Sequence, residues 1–114
     1  MNGIGGNLTA DVQIKTSVLN EIGEGEITWE TVQSLTGWLD YMTGNVNHSN
    51  FNSKIEESTH VFVGDYVQLN EEITEENSRM LINGKVYNIL LIDDPMELHE
   101  QLEIYLKFTG GQNG

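Results

Sequence analysis

Ten residues near the end of the chain constrain its fold more than any others. Met80-Leu81-Ile82 is followed by Asn83-Gly84 and then Lys85-Val86-Tyr87-Asn88-Ile89. Asn-Gly between two apolar runs is the strongest short signal for a two-residue β-hairpin, because both residues tolerate positive φ in a type I′ turn. A two-residue loop fixes the register. Ile82 then opposes Lys85, Leu81 opposes Val86 and Met80 opposes Tyr87. The second strand runs on through Leu90, Leu91 and Ile92 until Asp93-Asp94-Pro95, where proline removes a donor and restricts the residue before it.

The rest of the chain has strand character too. Leu8, Ala10, Val12 and Ile14 alternate with Thr9, Asp11, Gln13 and Lys15, the period of a half-buried strand. Gly23-Glu24-Gly25 marks a turn before an apolar segment that begins at Ile27 and Trp29. Residues 28–42 are compatible with either element. Leu35, Trp38, Leu39 and Met42 recur at helical spacing, and Thr28 can cap a helical turn. Thr31, Val32, Thr36, Trp38, Tyr41 and Gly37 favour a strand across 35–41. Residues 59–63 and 66–69 are β-rich, and 70–78 (NEEITEENS) form an acidic loop. A helical turn fits 96–101. Leu102, Ile104, Leu106 and Phe108 then face inward along a last strand, with Glu103, Tyr105 and Lys107 outward. About six strands with at most one helical turn point to an all-β fold, a small antiparallel β-barrel with long loops. The expected layout is a flexible arm over 1–7, one domain over 8–108 and a flexible tail over 109–114.

Residues 42–58 (MTGNVNHSNFNSKIEES) have little periodicity. A structureless stretch of this length in a small domain is uncommon and usually functional or disordered. Its Phe51 and Ile55 are isolated apolar residues suited to docking on a partner.

Composition narrows the function. The chain has 18 acidic and 5 basic residues and a net charge of −13. Such a surface repels phosphate and anionic lipid, which argues against ordinary nucleic-acid and membrane binding. There is no cysteine, hence no disulfide and no thiolate ligand. No signal sequence or membrane-spanning run is evident, so a cytosolic site of synthesis is expected. His48, His60 and His99 lack metal-ligand spacing. Asp93, Asp94, Glu97 and Glu100 lack the spacing of a Ca²⁺ loop, and Glu71, Glu72, Glu75 and Glu76 read as a solvated face. No nucleophile with a positioned base, phosphate loop or dinucleotide fingerprint is present. Gly3-Ile4-Gly5-Gly6 precedes a strand instead of following one. Trp29, Trp38, Tyr41, Phe51, Phe62, Tyr66, Tyr87, Tyr105 and Phe108 read mostly as core or barrel caps, because single-strand binding needs basic residues among its rings. No cofactor and no enzymatic activity are expected.

In order, the chain presents a first strand, a glycine turn, Trp29, and a strand around Trp38-Leu39. A long polar loop leads to Ser58-Thr59-His60-Val61-Phe62-Val63. Then come the Met80–Ile89 hairpin, Ile92-Asp93, and Leu102-Glu103-Ile104-Tyr105-Leu106. This ordered set resembles the head-closure (head–tail adaptor, or stopper) proteins of long-tailed bacteriophages. The resemblance runs over roughly residues 12–108. It departs at 64–78, where Val63-Gly64-Asp65-Tyr66 and the acidic loop replace a basic residue and a Gly-Met step. It implies a structural virion protein of the phage neck, assembled in the host cytoplasm. Such a subunit forms a homo-oligomeric ring, commonly of about twelve copies. The ring lies between the portal and adaptor proteins and the tail-completion or tail-terminator protein, seals the DNA exit channel after packaging, and offers a surface for tail docking. Thr43, Asn45, His48, Phe51, Lys54, Ile55, Glu56 and Glu57 are the expected channel or partner loop. Glu72, Glu75, Glu76, Asp94 and Met96 are the expected subunit or partner contacts. Packaged DNA would be adjacent without being gripped. A tail-completion or tail-terminator connector is the alternative, and a carbohydrate- or peptide-binding β-module with Trp29 and Trp38 on one face is a third reading.

Overall fold

The structure, a computed structural model, describes residue 6 and residues 8–42 and 53–112. Six strands make up almost all of it: β1 (Leu8–Leu19), β2 (Gly25–Tyr41), β3 (His60–Asp65), β4 (Ser78–Ile82), β5 (Lys85–Asp93) and β6 (Gln101–Gln112). All neighbours are antiparallel, in the order β1-β2-β3-β6-β5-β4, and β4 returns to β1 so that the sheet closes on itself. A five-residue helix, α1 (Ser53–Glu57), and a short 3₁₀ turn (Pro95–Glu97) complete it. The all-β expectation is met.

The Asn83-Gly84 hairpin has the expected register, with Ile82, Leu81 and Met80 opposite Lys85, Val86 and Tyr87. Both turn residues have positive φ, 52° and 78°. Residues 28–41 are strand throughout. Inside the ring, Ala10, Val12, Leu35, Phe62, Met80, Ile82, Tyr87, Ile89, Ile104 and Leu106 form one core. Leu69 and Ile73, from the 66–77 connection, and Ile92 pack against it, as do Leu8 and Leu39.

Several expectations need correction. Residues 66–69 are not a strand. There the chain separates from β2 and is tethered by one side chain. Gln33 Nε2 donates to the Gln68 carbonyl (3.1 Å) and Gln33 Oε1 accepts from Asn70 N–H (2.7 Å). Within 42–58, residues 43–52 lie outside the described residues, while 53–57 form α1, which packs on β5 and β6. Ser58 N–H closes its end on the Ile55 carbonyl (3.2 Å). The helical turn expected at 96–101 is the 3₁₀ turn at Pro95–Glu97, and β6 already begins at Gln101. At its other end β6 runs to Gln112, where Lys85 pairs with it, so the strand does not stop at Phe108. Gln13 alternates outward as expected but is buried, under an outer-face cluster described below. Of the described rings only Phe62 and Tyr87 are buried, while Trp38, Tyr41 and Phe108 are exposed.

Glycines 37 and 64 lie directly opposite each other across β2 and β3. A Cβ on Gly37 would sit 2.4 Å from the Val63 carbonyl oxygen and 2.7 Å from the Phe62 ring. One on Gly64 would sit 2.8 Å from the Thr36 carbonyl oxygen. The paired glycines let the Phe62 ring lie against bare backbone, a close approach that no side chain permits. Gly37→Ala is expected to destabilise the fold by about 1–3 kcal/mol, the usual cost of overpacking a core. Urea unfolding followed by tryptophan fluorescence would read this as a lower midpoint with an unchanged slope.

Candidate assembly surfaces

Strand directions give the molecule two ends. β2 starts at one end and finishes at the other, as do the strands paired with it. At the first end β1 and β2 outrun the closed sheet. β1 pairs with β4 only over Asp11–Ile14, whereas its pairing with β2 continues to Leu19↔Gly25. Residues 15–19 and 25–29 therefore form a two-stranded ribbon. Its root is a bulge, where Val12 faces Gln33 but Gln13 faces Thr31, leaving Val32 as the extra residue. Such a bulge bends and twists the ribbon relative to the sheet.

A polar cluster around the buried Gln13 braces that root. Arg79 Nε donates to Gln13 Oε1 (2.8 Å), Gln13 Nε2 donates to Thr31 Oγ1 (3.1 Å), and the Arg79 guanidinium lies 4.2 Å from the centre of the Trp29 ring. Farther out, the Thr16 and Thr28 hydroxyls are 2.6 Å apart. The tip is built on Asn20, whose side-chain oxygen accepts from the backbone N–H of Ile22 (3.1 Å) and Glu24 (2.8 Å). Gly23 takes a φ of 86° there. This ordered tip exposes Val18 (54%), Leu19 (72%), Ile22 (78%) and Ile27 (64%). Glu21, Glu24 and Glu26 are exposed beside them.

The opposite end is a mouth lined by rings. Tyr41 and His60 pair across β2 and β3, with ring centres 4.7 Å apart. His60 meets Tyr87 edge-on at 5.1 Å, and Tyr87 lies 5.2 Å from Phe108. Phe108 is on the inward-facing side but at the rim, and it is 37% exposed. Tyr41 is 79% exposed. Thr59 ties the rim together. Its N–H donates to the Leu106 carbonyl, its hydroxyl accepts from Phe108 N–H (2.8 Å), and the same hydroxyl is hydrogen-bonded to His60 Nδ1 (2.8 Å). Met42 N–H donates to the Thr59 carbonyl (2.8 Å), so the chain leaves the sheet and re-enters it at one point.

The expected contact residues are distributed between and beyond these ends. Thr43, Asn45, His48 and Phe51 lie outside the described residues. Lys54, Ile55, Glu56 and Glu57 are on α1. Glu75 joins three elements. It pairs with Lys54 (3.5 Å) and accepts from the backbone N–H of Ile92 (2.7 Å), on a stretch of β5 that has outrun β4. Glu72 and Glu76 are exposed on a loop held by its own side chains. Asn77 Oδ1 accepts from Thr74 N–H (2.9 Å), and Asn77 Nδ2 donates to the Glu72 carbonyl (3.0 Å). Asp94 accepts from His99 N–H (3.0 Å) and also bonds the His99 ring. Met96 is 86% exposed and has a φ of 55°, as do Glu97 and His99. The apolar ribbon and the ring-lined mouth were not anticipated as contact surfaces. The signal for the mouth was Tyr41 and His60, each at a strand end, with Tyr87 and Phe108 paired beside them.

Trp29 and Trp38 both lie on the outer side of β2. They are nine positions apart in the sequence, about 30 Å of extended chain, and Arg79 covers Trp29. They do not form a stacking platform. His60 is at the mouth and His99 is at the other end, against Tyr66. Among the described residues no cluster of metal-binding side chains occurs, and no helix is long and apolar enough to cross a membrane.

No protein-family model matches the sequence, and no curated protein matches it. Solved structures do share the fold. Protein SF1141 from Shigella flexneri 2a is similar over 98% of this chain and 100% of its own, with a TM-score of 0.70 and 19% identity. A chain of the virion of a native gene transfer agent particle is similar over 88% of this chain and 93% of its own, with a TM-score of 0.55 and 12% identity.

Burial, and then the charge of Lys85, hold the His60 pKa below its ordinary value of 6.5. The unfolded chain takes up a proton at that histidine as pH falls below about 6.5, while the native state resists it. His60 therefore removes stability on acidification below that point and none above it. Urea midpoints of wild type and His60→Gln, measured between pH 7.5 and 5.5, are expected to show the larger acid-side loss in wild type. Parallel profiles would show that His60 carries no such linkage.

Proposed function

We propose that this chain is a non-catalytic structural subunit of a virion neck, a head-closure ring protein that seals the DNA exit channel and receives the tail. The observation that carries most weight is that a chain within a gene transfer agent virion shares this fold over 88% of the present chain. The ordered motif set supports the same reading: the Asn83-Gly84 hairpin joins β4 to β5, Thr59-His60 leads into β3, and the Leu102–Leu106 motif lies in β6.

The physical properties suit that role. A protein beside packaged DNA must not hold its phosphates, and a net charge of −13 per subunit repels them. A ring subunit must nevertheless bury surface against proteins, and the exposed apolar tip and ring-lined mouth supply it. The self-repulsion of so acidic a chain keeps free subunits apart until a partner organises them.

Purified protein added to DNA-filled, tailless heads is expected to appear by electron microscopy as a ring of density beneath the portal. Binding to isolated tails and not to heads would move the chain to the tail side of the joint, as a tail-completion or tail-terminator component. Binding to neither would remove the virion reading.

A further inference from the structure

We propose that the tip of the β1–β2 ribbon of one subunit docks on the ring-lined mouth of a second copy of this chain. The ring of subunits comes from the function proposed above. The mode of contact comes from the two ends of the molecule.

The ends are complementary in chemistry. The tip offers Leu19, Ile22 and Ile27 between Glu21, Glu24 and Glu26. The mouth offers Tyr41 and Phe108, and two of the chain's 5 basic residues stand beside its rings. Lys85 is close enough to His60 to act on its charge, and Lys107 adjoins Phe108 on β6 from the outward face. Asp40 is the acidic side chain next to Tyr41, on the outer side of β2. An acidic apolar knob thus meets an aromatic seat flanked by lysines, in a protein that otherwise repels its own copies.

Neither end suits an isologous contact. Two tips would bring six glutamates together, and two mouths would face lysine to lysine. Tip against mouth is heterologous. It leaves one free tip and one free mouth on every dimer, so it propagates and closes into a ring when the rotation allows. The ribbon is also stiff enough to serve as a knob. The Asn20 turn, the Thr16–Thr28 hydroxyl pair and the Gln13–Arg79–Trp29 cluster order it from tip to root, which lowers the entropic cost of docking.

The sequence contains no cysteine, so disulfide trapping has no background. Ile22→Cys and Tyr41→Cys variants would be oxidised singly, as a mixture, and as a double variant, both free at high concentration and bound to heads. Each substituted side chain is exposed and lies outside the core. The mixture is expected to give a 22–41 dimer and the double variant a ladder of higher species. Lys85→Glu with Lys107→Glu should reduce the yield at least several-fold. Dimers from Ile22→Cys alone would show tip-to-tip contact and overturn the proposal. No 22–41 product in either setting would overturn it too. Heads that bind the protein without a 22–41 product would leave the neck function standing and remove this contact. A 22–41 ladder from protein that ignores heads would do the reverse.

Discussion

Everything in this fold depends on four residues of β1. Asp11–Ile14 pair with Ser78–Leu81 and thereby join the first strand to β4. That short ladder turns an open sheet into a closed one. It gives the core its wall and leaves no free edge along the body of the sheet. It also sets where closure ends. Beyond Ile14, among the described residues, the backbone of β1 meets its β4 side only at Lys15, whose N–H donates to the Asn77 carbonyl (2.8 Å). The same strand therefore closes the ring and then leaves it as a ribbon. The radius of gyration, 15.1 Å, exceeds the roughly 13 Å of a compact chain of this size, and the longest dimension is 52 Å. The ribbon accounts for that elongation.

An isolated two-stranded ribbon is marginal in water. This one persists because its root is braced on the outside of the sheet. Gln13 would otherwise be a buried amide at a bulge, a costly arrangement. Thr31 and Arg79 satisfy both of its ends, and Trp29 covers the arginine. The brace joins β1, β2 and β4 where the strands diverge. The acidic loop repeats the device at another edge. Glu75 supplies the acceptor that β5 lacks after β4 has ended, and ties in α1 through Lys54. At both places a side chain ends a ladder that backbone can no longer continue.

What the sequence made legible was whatever local chemistry settles alone. Asn83-Gly84 dictated a turn and a register, and the alternation of Leu102, Ile104 and Leu106 dictated a face. What it concealed depended on a third strand. Ile27 read as the start of an apolar segment with a side to bury, yet it sits where the sheet has already ended. Gly37 read as a weak point in a helix, and its purpose appears only when Gly64 stands opposite and Phe62 lies against both. Tyr66 and Val67 carry β-favouring residues into a segment that β2 has abandoned. Of the expected contact residues, Glu75 is already engaged within the chain. The tip and the mouth went unnoticed because exposure of an apolar strand end is a tertiary fact.

The balance of charge bears on how such surfaces would behave in the assembly proposed above. Exposed apolar ends normally invite aggregation. Here they belong to a chain with 18 acidic and 5 basic residues, so unselective encounters between copies are repulsive. Repulsion of that kind weakens with distance and with salt, but at contact it is decided by which groups meet. In the contact proposed above, the carboxylates at the tip meet Lys85 and Lys107 at the mouth. High negative charge therefore acts as a filter. Under that proposal it disfavours phosphate and most orientations of the chain's own copies, and leaves open the approach in which an acidic knob reaches the ring-lined end.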